Sequence, residues 1–236
     1  MKGLKLKGKS DGGNMKLNKF DIILWVTSLL VVGLSYIFTS NDYLTLIASL
    51  IGVSALLFIA KGYVLGQILT IVFSILYGVI SFYFKYYGEL ITYVFMTLPM
   101  AIVTLISWIK HPFKDTKEVE VNKVNKKQLI VMAILSIVVT IAFYFILKYF
   151  NTKNLITSTI SITTSFIAAY LSFFRSPYYA VGYCFNDIVL IILWILATIE
   201  KQSYFPMIVC FFMFLINDLY GFISWKKMQN RQINSK

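Results

Sequence analysis

The sequence has little charge for its length. Only 14% of its 236 residues are charged, whereas 58% are hydrophobic and the mean hydropathy is +0.76. A soluble domain needs more polar surface than this, because a large share of its residues must face water. The scarcity of charge therefore excludes a soluble globular protein and indicates a chain that spans a lipid bilayer.

Histidine and cysteine are also scarce. The single histidine, His111, lies in a hydrophilic segment, and the two cysteines, Cys184 and Cys210, lie inside apolar runs. The motifs HExxH and GxSxG are absent, as is a phosphate-binding glycine loop. We therefore expect no enzyme, no metal site and no cofactor, and two buried free thiols rather than a disulfide.

Basic residues outnumber acidic ones by 22 to 10. They lie mostly in tails and short loops between apolar runs, which fits membrane topology better than a nucleic-acid-binding face. The first apolar run starts near Phe20 and lacks a small-residue cleavage site, so we interpret it as a retained helix. The expected partners are the lipid bilayer and a small molecule, with no nucleic acid.

Eight apolar runs have the length of a membrane-spanning helix. They predict helices at 20–38, 43–60, 63–84, 89–109, 128–149, 154–174, 177–198 and 204–225. A disordered basic tail at 1–19, a hydrophilic segment at 110–127 and a polar tail at 226–236 complete the chain. If both termini are cytoplasmic, 18 of the 22 basic residues lie inside. This bias predicts that topology in the plasma membrane.

Two short motifs recur with nearly the same offset. Ile-Ser-Trp ends at Trp108 and again at Trp225, 117 residues later, while Tyr-x-x-Gly begins at Tyr63 and again at Tyr179. The repeat predicts an all-α membrane protein with two parallel three-helix bundles, 43–109 and 154–225. A linker helix at 128–149 would join them, and the helix at 20–38 would be an addition. Chance similarity among apolar helices is the alternative.

Two acidic residues, Asp187 and Asp218, lie inside predicted spans, whereas the other eight lie in loops, tails or helix ends. Ionisable residues at membrane depth are costly and usually face the bundle interior or a water-filled cavity. Each follows an asparagine, Asn186 or Asn217, and we expect the two pairs at similar depth on consecutive antiparallel helices. They either bind a polar solute or cross-link helices by hydrogen bonds.

Aromatic residues accompany these pairs at helical spacing. Such faces suit a planar ring that stacks on aromatics and bonds to amides, although ordinary packing is the alternative. The first repeat adds Gln67, Tyr77 and Thr97, and Pro99 predicts a kink in the fourth helix. The candidate substrate-binding residues are Gln67, Tyr179, Tyr183, Asn186, Asp187, Asn217, Asp218 and Tyr220.

The order of several motifs resembles a known family. Residues 65–112 contain Leu-Tyr-Gly, then Tyr-Gly-Glu at the start of the next helix, a proline within it and a tryptophan near its end, and NDIVLIILW and FLINDLYGFISW follow in the second half. Over most of residues 45–228 the chain resembles the PnuC family of nicotinamide riboside transporters. The resemblance implies a SWEET-like fold and facilitated diffusion by alternating access. Cytoplasmic phosphorylation would then trap the substrate.

The resemblance also implies roles for residues. The family's ring-binding motif Trp-x-x-Trp-x-x-x-Asn corresponds here to Tyr179, Gly182 and Asn186, so the asparagine is kept and one stacking wall is expected to be missing at Gly182. Asn186 and Gln67 would hold the base, Asn217 and Asp218 the ribose hydroxyls, and the tyrosines would line the cavity. Deoxynucleosides, thiamine and riboflavin stay alternative substrates.

Three further questions stay open at this point. Transport would be proton-coupled if Asp187 or Asp218 cycles a proton. A membrane scaffold or sensor without transport is a hypothesis from another class, although the small loops offer little surface for protein partners. The chain either acts alone or forms a homo-oligomer.

Overall fold

The computed structural model describes Met15 and residues 17–39, 42–83 and 87–235, so most of the predicted tail 1–19 lies outside the described residues. This part of the chain is helical and contains no β-strand beyond two isolated bridges. Its α-helices are α1 Lys19–Thr39, α2 Tyr43–Ala60, α3 Val64–Tyr83, α4 Tyr87–Thr92, α5 Leu98–Lys110, α6 Lys126–Tyr149, α7 Leu155–Phe173, α8 Tyr179–Glu200 and α9 Phe205–Asn234.

Eight segments of the described chain are long and apolar enough to cross a membrane, which confirms the predicted number of spans. Helices α4 and α5 form one of these spans together with the π-helical turn Tyr93–Thr97. The prediction was wrong at the C-terminus, where α9 continues to Asn234 instead of ending near residue 225. This extension is held in place because Gln232 accepts a hydrogen bond from the backbone of Val121 and donates one to Val119.

The π-helical turn lies directly before Pro99. Proline has no N–H, and its ring clashes with the carbonyl four residues earlier in a regular α-helix. The wider turn avoids this conflict, and the N–H of Leu98 bonds to the carbonyl of Tyr93, five residues back. The kink predicted at Pro99 therefore takes the form of a local widening of the fourth span.

Packing brings spans from the two halves of the sequence together. Helix α2 packs against α3 and α9, α5 packs against both α3 and α7, and α8 packs against α7 and α9. Helix α6 packs against α7 and leaves most of its residues exposed, as lipid contact requires, while α1 lies against α2 and α9. The division into two parallel three-helix bundles stays a prediction.

The two tryptophans of the repeated Ile-Ser-Trp motif meet at one end of the bundle. Trp108 and Trp225 are fully buried, with ring centroids 5.4 Å apart. The indole of Trp108 donates to the carbonyl of Ser172 at the end of α7 (3.0 Å), and that of Trp225 donates to Ile59 at the end of α2 (2.8 Å). Each tryptophan thus binds a helix end in the other half, which is the reciprocity expected of two repeats related by a pseudo-two-fold axis.

The hydrophilic segment 111–125 crosses this same end of the bundle, which we call the basic face because the turn at Lys61, the turn at Arg175 and the end of α9 also lie there. The N–H of Val119 bonds to the carbonyl of Gly62 (2.9 Å), and that of Asn122 bonds to the carbonyl of Arg175 (3.0 Å). Both acceptors have left-handed backbone, with φ of 67° and 56°. Burial lowers the pKa of the Arg175 guanidinium and Glu120 opposes that change, so the residue keeps its charge at neutral pH.

A buried ion pair fastens α1 to the basic face. The side chain of Asp21 is fully buried and lies 2.9 Å from the amine of Lys61, in the turn after α2. The same carboxylate accepts the hydroxyl of Tyr220 from α9 and the backbone N–H of Asn18. Asp21 therefore joins three separate elements, although in the sequence it is only an acidic residue at a helix end.

Replacing Lys61 with methionine should destabilise the protein by about 3 kcal/mol, because the buried carboxylate loses its cation. This loss lies at the lower end of the range for breaking a buried ion pair, because Asp21 still accepts hydrogen bonds from Tyr220 and Asn18. Thermal unfolding in detergent measures it. The control is Lys153→Met, which breaks an exposed pair with Glu200 and should cost less than about 1 kcal/mol. Equal losses in both variants would contradict a structural role for Asp21.

Candidate functional site

A cavity of about 90 Å³ lies within the bundle, between α2, α3, α7, α8, α9 and the irregular fourth span. Its apolar walls carry a band of polar side chains, which is the usual composition of a small-molecule site. These polar residues are Gln67, Thr70, Glu89, Thr92, Tyr93, Thr97, Ser161, Ser165, Tyr179, Tyr183, Asn186, Asp187 and Asp218. None of the described lining residues is Lys, Arg or His.

Six of the eight candidate residues line this cavity. They are Gln67, Tyr179, Tyr183, Asn186, Asp187 and Asp218. Thr97 also lines it, whereas Tyr77 packs against Tyr93 with ring centroids 4.3 Å apart. The structure thus gathers most of the polar residues selected from the sequence around one internal space.

Asn217 and Tyr220 are not lining residues of this cavity. The amide of Asn217 donates to the hydroxyl of Ser28 in α1 (2.9 Å) and to the carbonyl of Met213 (2.7 Å), and Tyr220 bonds to Asp21. Consecutive residues on a helix point about 100° apart, so Asn217 faces α1 when Asp218 faces the cavity. In the described structure these two residues therefore fasten α1, while their expected role in binding substrate stays a prediction.

Asn186 is held in a defined orientation by α7. Its carbonyl oxygen accepts hydrogen bonds from Thr164 (3.0 Å) and Ser161 (3.3 Å). With the oxygen directed at α7, the amide NH₂ is the part of the side chain that can donate to a ligand. On the opposite wall, Gln67 donates to Ser172 at 3.4 Å and keeps its carbonyl oxygen as an acceptor.

Asp187 and Asp218, on the packed helices α8 and α9, both line the cavity. Both are 3% exposed, and one oxygen of Asp187, Oδ2, has no hydrogen-bond partner within the described structure. The expectation of similar depth on α8 and α9 therefore holds for the two acids.

The chain matches a family model over residues 42–227, and the family is described as nicotinamide mononucleotide transporter. This match covers more than three quarters of the sequence. The chain belongs to the nicotinamide mononucleotide transporter family. It is therefore a multi-pass membrane protein of a transporter family and not an enzyme.

A relative and a solved structure agree with this membership. The nicotinamide riboside transporter PnuC of Neisseria mucosa is 23% identical over 217 residues, which are 90% of this chain and 82% of that protein. A crystal structure described as the vitamin B3 transporter PnuC has a TM-score of 0.80 at 22% identity, covering 92% of this chain and 94% of that one. The latter match shows that the fold is shared.

Sequence reasoning missed one acidic residue of this transporter's cavity, Glu89. It is 7% exposed and lies in the first turn of the fourth span, so it was grouped with acids at helix ends. The available signal was its spacing, because Thr92 and Tyr93 follow three and four residues later on the same helical face. Both of these residues also line the cavity.

Gly182 does not leave the open wall that its sequence suggests. A Cβ atom at this position would lie 2.9 Å from Cα of Ala168, so α7 and α8 touch there and no side chain fits. The aromatic lining that α8 contributes comes instead from Tyr179 and Tyr183, whose rings meet edge to face at 6.1 Å. In this member of the family, the position where a stacking side chain was expected to be missing is therefore occupied by the backbone of α7.

Changing Gly182 to alanine should destabilise the transporter by about 1–3 kcal/mol, because the added methyl group pushes α8 away from the backbone of α7. Thermal unfolding in detergent measures the loss. The matched control is Gly33→Ala in α1, where nothing lies within 4 Å of the new atom. That change should stabilise the helix by up to about 1 kcal/mol. A neutral Gly182→Ala variant would contradict the close contact.

Proposed function

We propose that this protein carries nicotinamide riboside, or a closely similar nucleoside, across the plasma membrane. The observation that carries the proposal is the internal cavity, in which an oriented amide, two tyrosines and buried carboxyl groups surround one space without any basic lining residue. Its polar groups suit a flat carboxamide ring joined to a sugar. Membership in a transporter family and the name of the Neisseria relative support the same substrate.

Each part of this substrate has a partner in the cavity. Asn186 and Gln67, on opposite walls, bond to the carboxamide at the ring edge, since amides both donate and accept. Tyr179 and Tyr183 contact the ring. Asp218 accepts hydrogen bonds from the ribose hydroxyls, whereas Asn217 faces α1 in the described structure.

The lining favours the riboside over the phosphorylated mononucleotide in the family's description. A phosphate group is usually bound by Arg, Lys or a helix N-terminus. Here it would instead lie among buried carboxyl groups, with no basic side chain among the lining residues that the structure describes. Repulsion of this kind is a strong source of specificity, because it penalises the wrong ligand directly.

Transport would be facilitated diffusion by alternating access between the two halves of the chain, with cytoplasmic phosphorylation as the trap. The excess of basic residues on the basic face supports a cytoplasmic location for both termini. The widened turn at Tyr93–Thr97 and Pro99 lies beside the cavity and provides a deformable point in the fourth span.

Purified protein in lipid vesicles should take up labelled nicotinamide riboside and exchange it in counterflow, whereas nicotinamide mononucleotide should not compete at equal concentration. Asn186→Leu should reduce uptake at least about 10-fold, because it removes the oriented amide donor. A 10-fold change corresponds to about 1.4 kcal/mol of binding free energy. Vesicles that contain Thr198→Ala, a change outside the cavity lining, serve as the control. Counterflow at the level of empty vesicles would exclude this substrate.

Specific observations support two alternatives, one in the substrate and one in the transport mechanism. The close contact at Gly182 and the tyrosine at position 179 alter the family's ring-binding motif, which keeps deoxynucleosides, thiamine and riboflavin as alternative substrates. A panel of these compounds tests them, because a bound substrate raises the unfolding temperature by mass action.

The buried acids Asp187 and Asp218 in the cavity lining support proton coupling as a second candidate mechanism. If it operates, a pH gradient alone should drive labelled substrate above its external concentration, and Asp187→Asn should abolish that accumulation. Simple equilibration at every gradient would leave facilitated diffusion as the mechanism.

A further inference from the structure

Three buried acids line the transport cavity, and we propose that they select a substrate with a positive charge, with Glu89 as the outer carboxylate of this charge-recognition site. The inference rests on the proposed function, because the ring nitrogen of nicotinamide riboside carries one positive charge. Charge recognition would add to the specificity of transport. It would also give Glu89 a role, whereas recognition of the substrate by shape and hydrogen bonding alone does not require this residue.

The electrostatics of the cavity favour a cation over a neutral ligand. Its walls are largely apolar, and an unpaired charge in such surroundings is costly. The acids Glu89, Asp187 and Asp218 are the ionisable partners within reach, since no described lining residue is basic. A positive ring placed among them therefore gains attraction that a neutral ring of equal size does not.

The aspartate pair has a carboxyl oxygen that is positioned to contact a cationic ligand. Two neighbouring carboxylates repel each other, so one proton on Asp187 or Asp218 leaves the pair with a single negative charge that matches the single positive charge of the ring. The oxygen Oδ2 of Asp187 has no hydrogen-bond partner within the described structure, although the residue is only 3% exposed. A buried acceptor left without a partner is costly, and a bound cation relieves that cost.

Glu89 occupies the passage on the side opposite the basic face. A second pocket opens there, lined by the loop around Lys153 and by Glu200 and Lys201 at the end of α8. Glu89 is the lining residue that this outer pocket and the central cavity have in common. A solute moving from one space to the other must pass its carboxylate, whereas Lys153 in the outer pocket is already paired with Glu200.

The test compares two ligands that differ in charge but hardly in shape. Nicotinamide riboside is the cationic probe, and its 1,4-dihydro form, which has a neutral ring, is the matched probe. Competition against labelled nicotinamide riboside in vesicles gives an inhibition constant for each. We expect the neutral form to bind the native protein at least about 10-fold more weakly, which is about 1.4 kcal/mol.

Glu89→Gln and Asp187→Asn should each narrow this preference to less than about 3-fold by weakening the cationic probe alone. The neutral probe is then an internal check of folding, because a misfolded variant would lose both ligands. Glu200→Gln is the control, since it removes an exposed acid of the outer pocket and should leave the preference unchanged.

The outcomes separate the two proposals. Equal affinity of the native protein for both probes would overturn charge selection while leaving nucleoside transport intact. A preference that survives Glu89→Gln but not Asp187→Asn would remove Glu89 from the site. If the native protein binds neither probe, the proposed function itself fails.

Discussion

The contact between Trp108 and Trp225 is the constraint on which the rest of the structure depends. Each indole binds the carbonyl of a helix end in the other half of the chain, so the pair fixes α2 and α7 relative to α5 and α9. Tyr179 packs on Trp225 at 4.9 Å and lines the cavity. The tryptophan pair therefore sets the floor of the substrate space as well as the packing of the two halves.

Polar residues inside this bundle serve two different purposes, and the helical phase decides between them. Asn217 and Asp218 are neighbours in sequence, yet one bonds to α1 and the other lines the cavity. Asp21 likewise uses its charge to hold Lys61 and Tyr220 in place. In lipid, where apolar packing between helices gains little, such hydrogen bonds are an economical way to fix a helix.

Hydropathy was enough to predict eight spans, because this signal is averaged over many residues. The roles of single residues were harder to predict. Glu89 looked like a helix-end acid, since hydropathy cannot show that α4 packs against α3 and α7 and that this side chain is buried. Gly182 looked like a missing side chain, because a close contact with Ala168 exists only after α7 and α8 have packed. The end of α9 depends on Gln232 meeting Val119 and Val121, a contact separated by more than a hundred residues.

An acidic cavity is costly for the empty carrier but useful during transport of a cation. Moving a charged ring through the low-dielectric centre of the membrane is unfavourable unless an opposite charge accompanies it. In the proposed site, one proton on the pair Asp187 and Asp218 leaves one negative charge on that pair to face the positive ring. The same carboxyl groups oppose closure around a phosphate. In the proposed cycle, a bound cation offsets the unfavourable burial of these acids, and this links their burial to selectivity for the substrate.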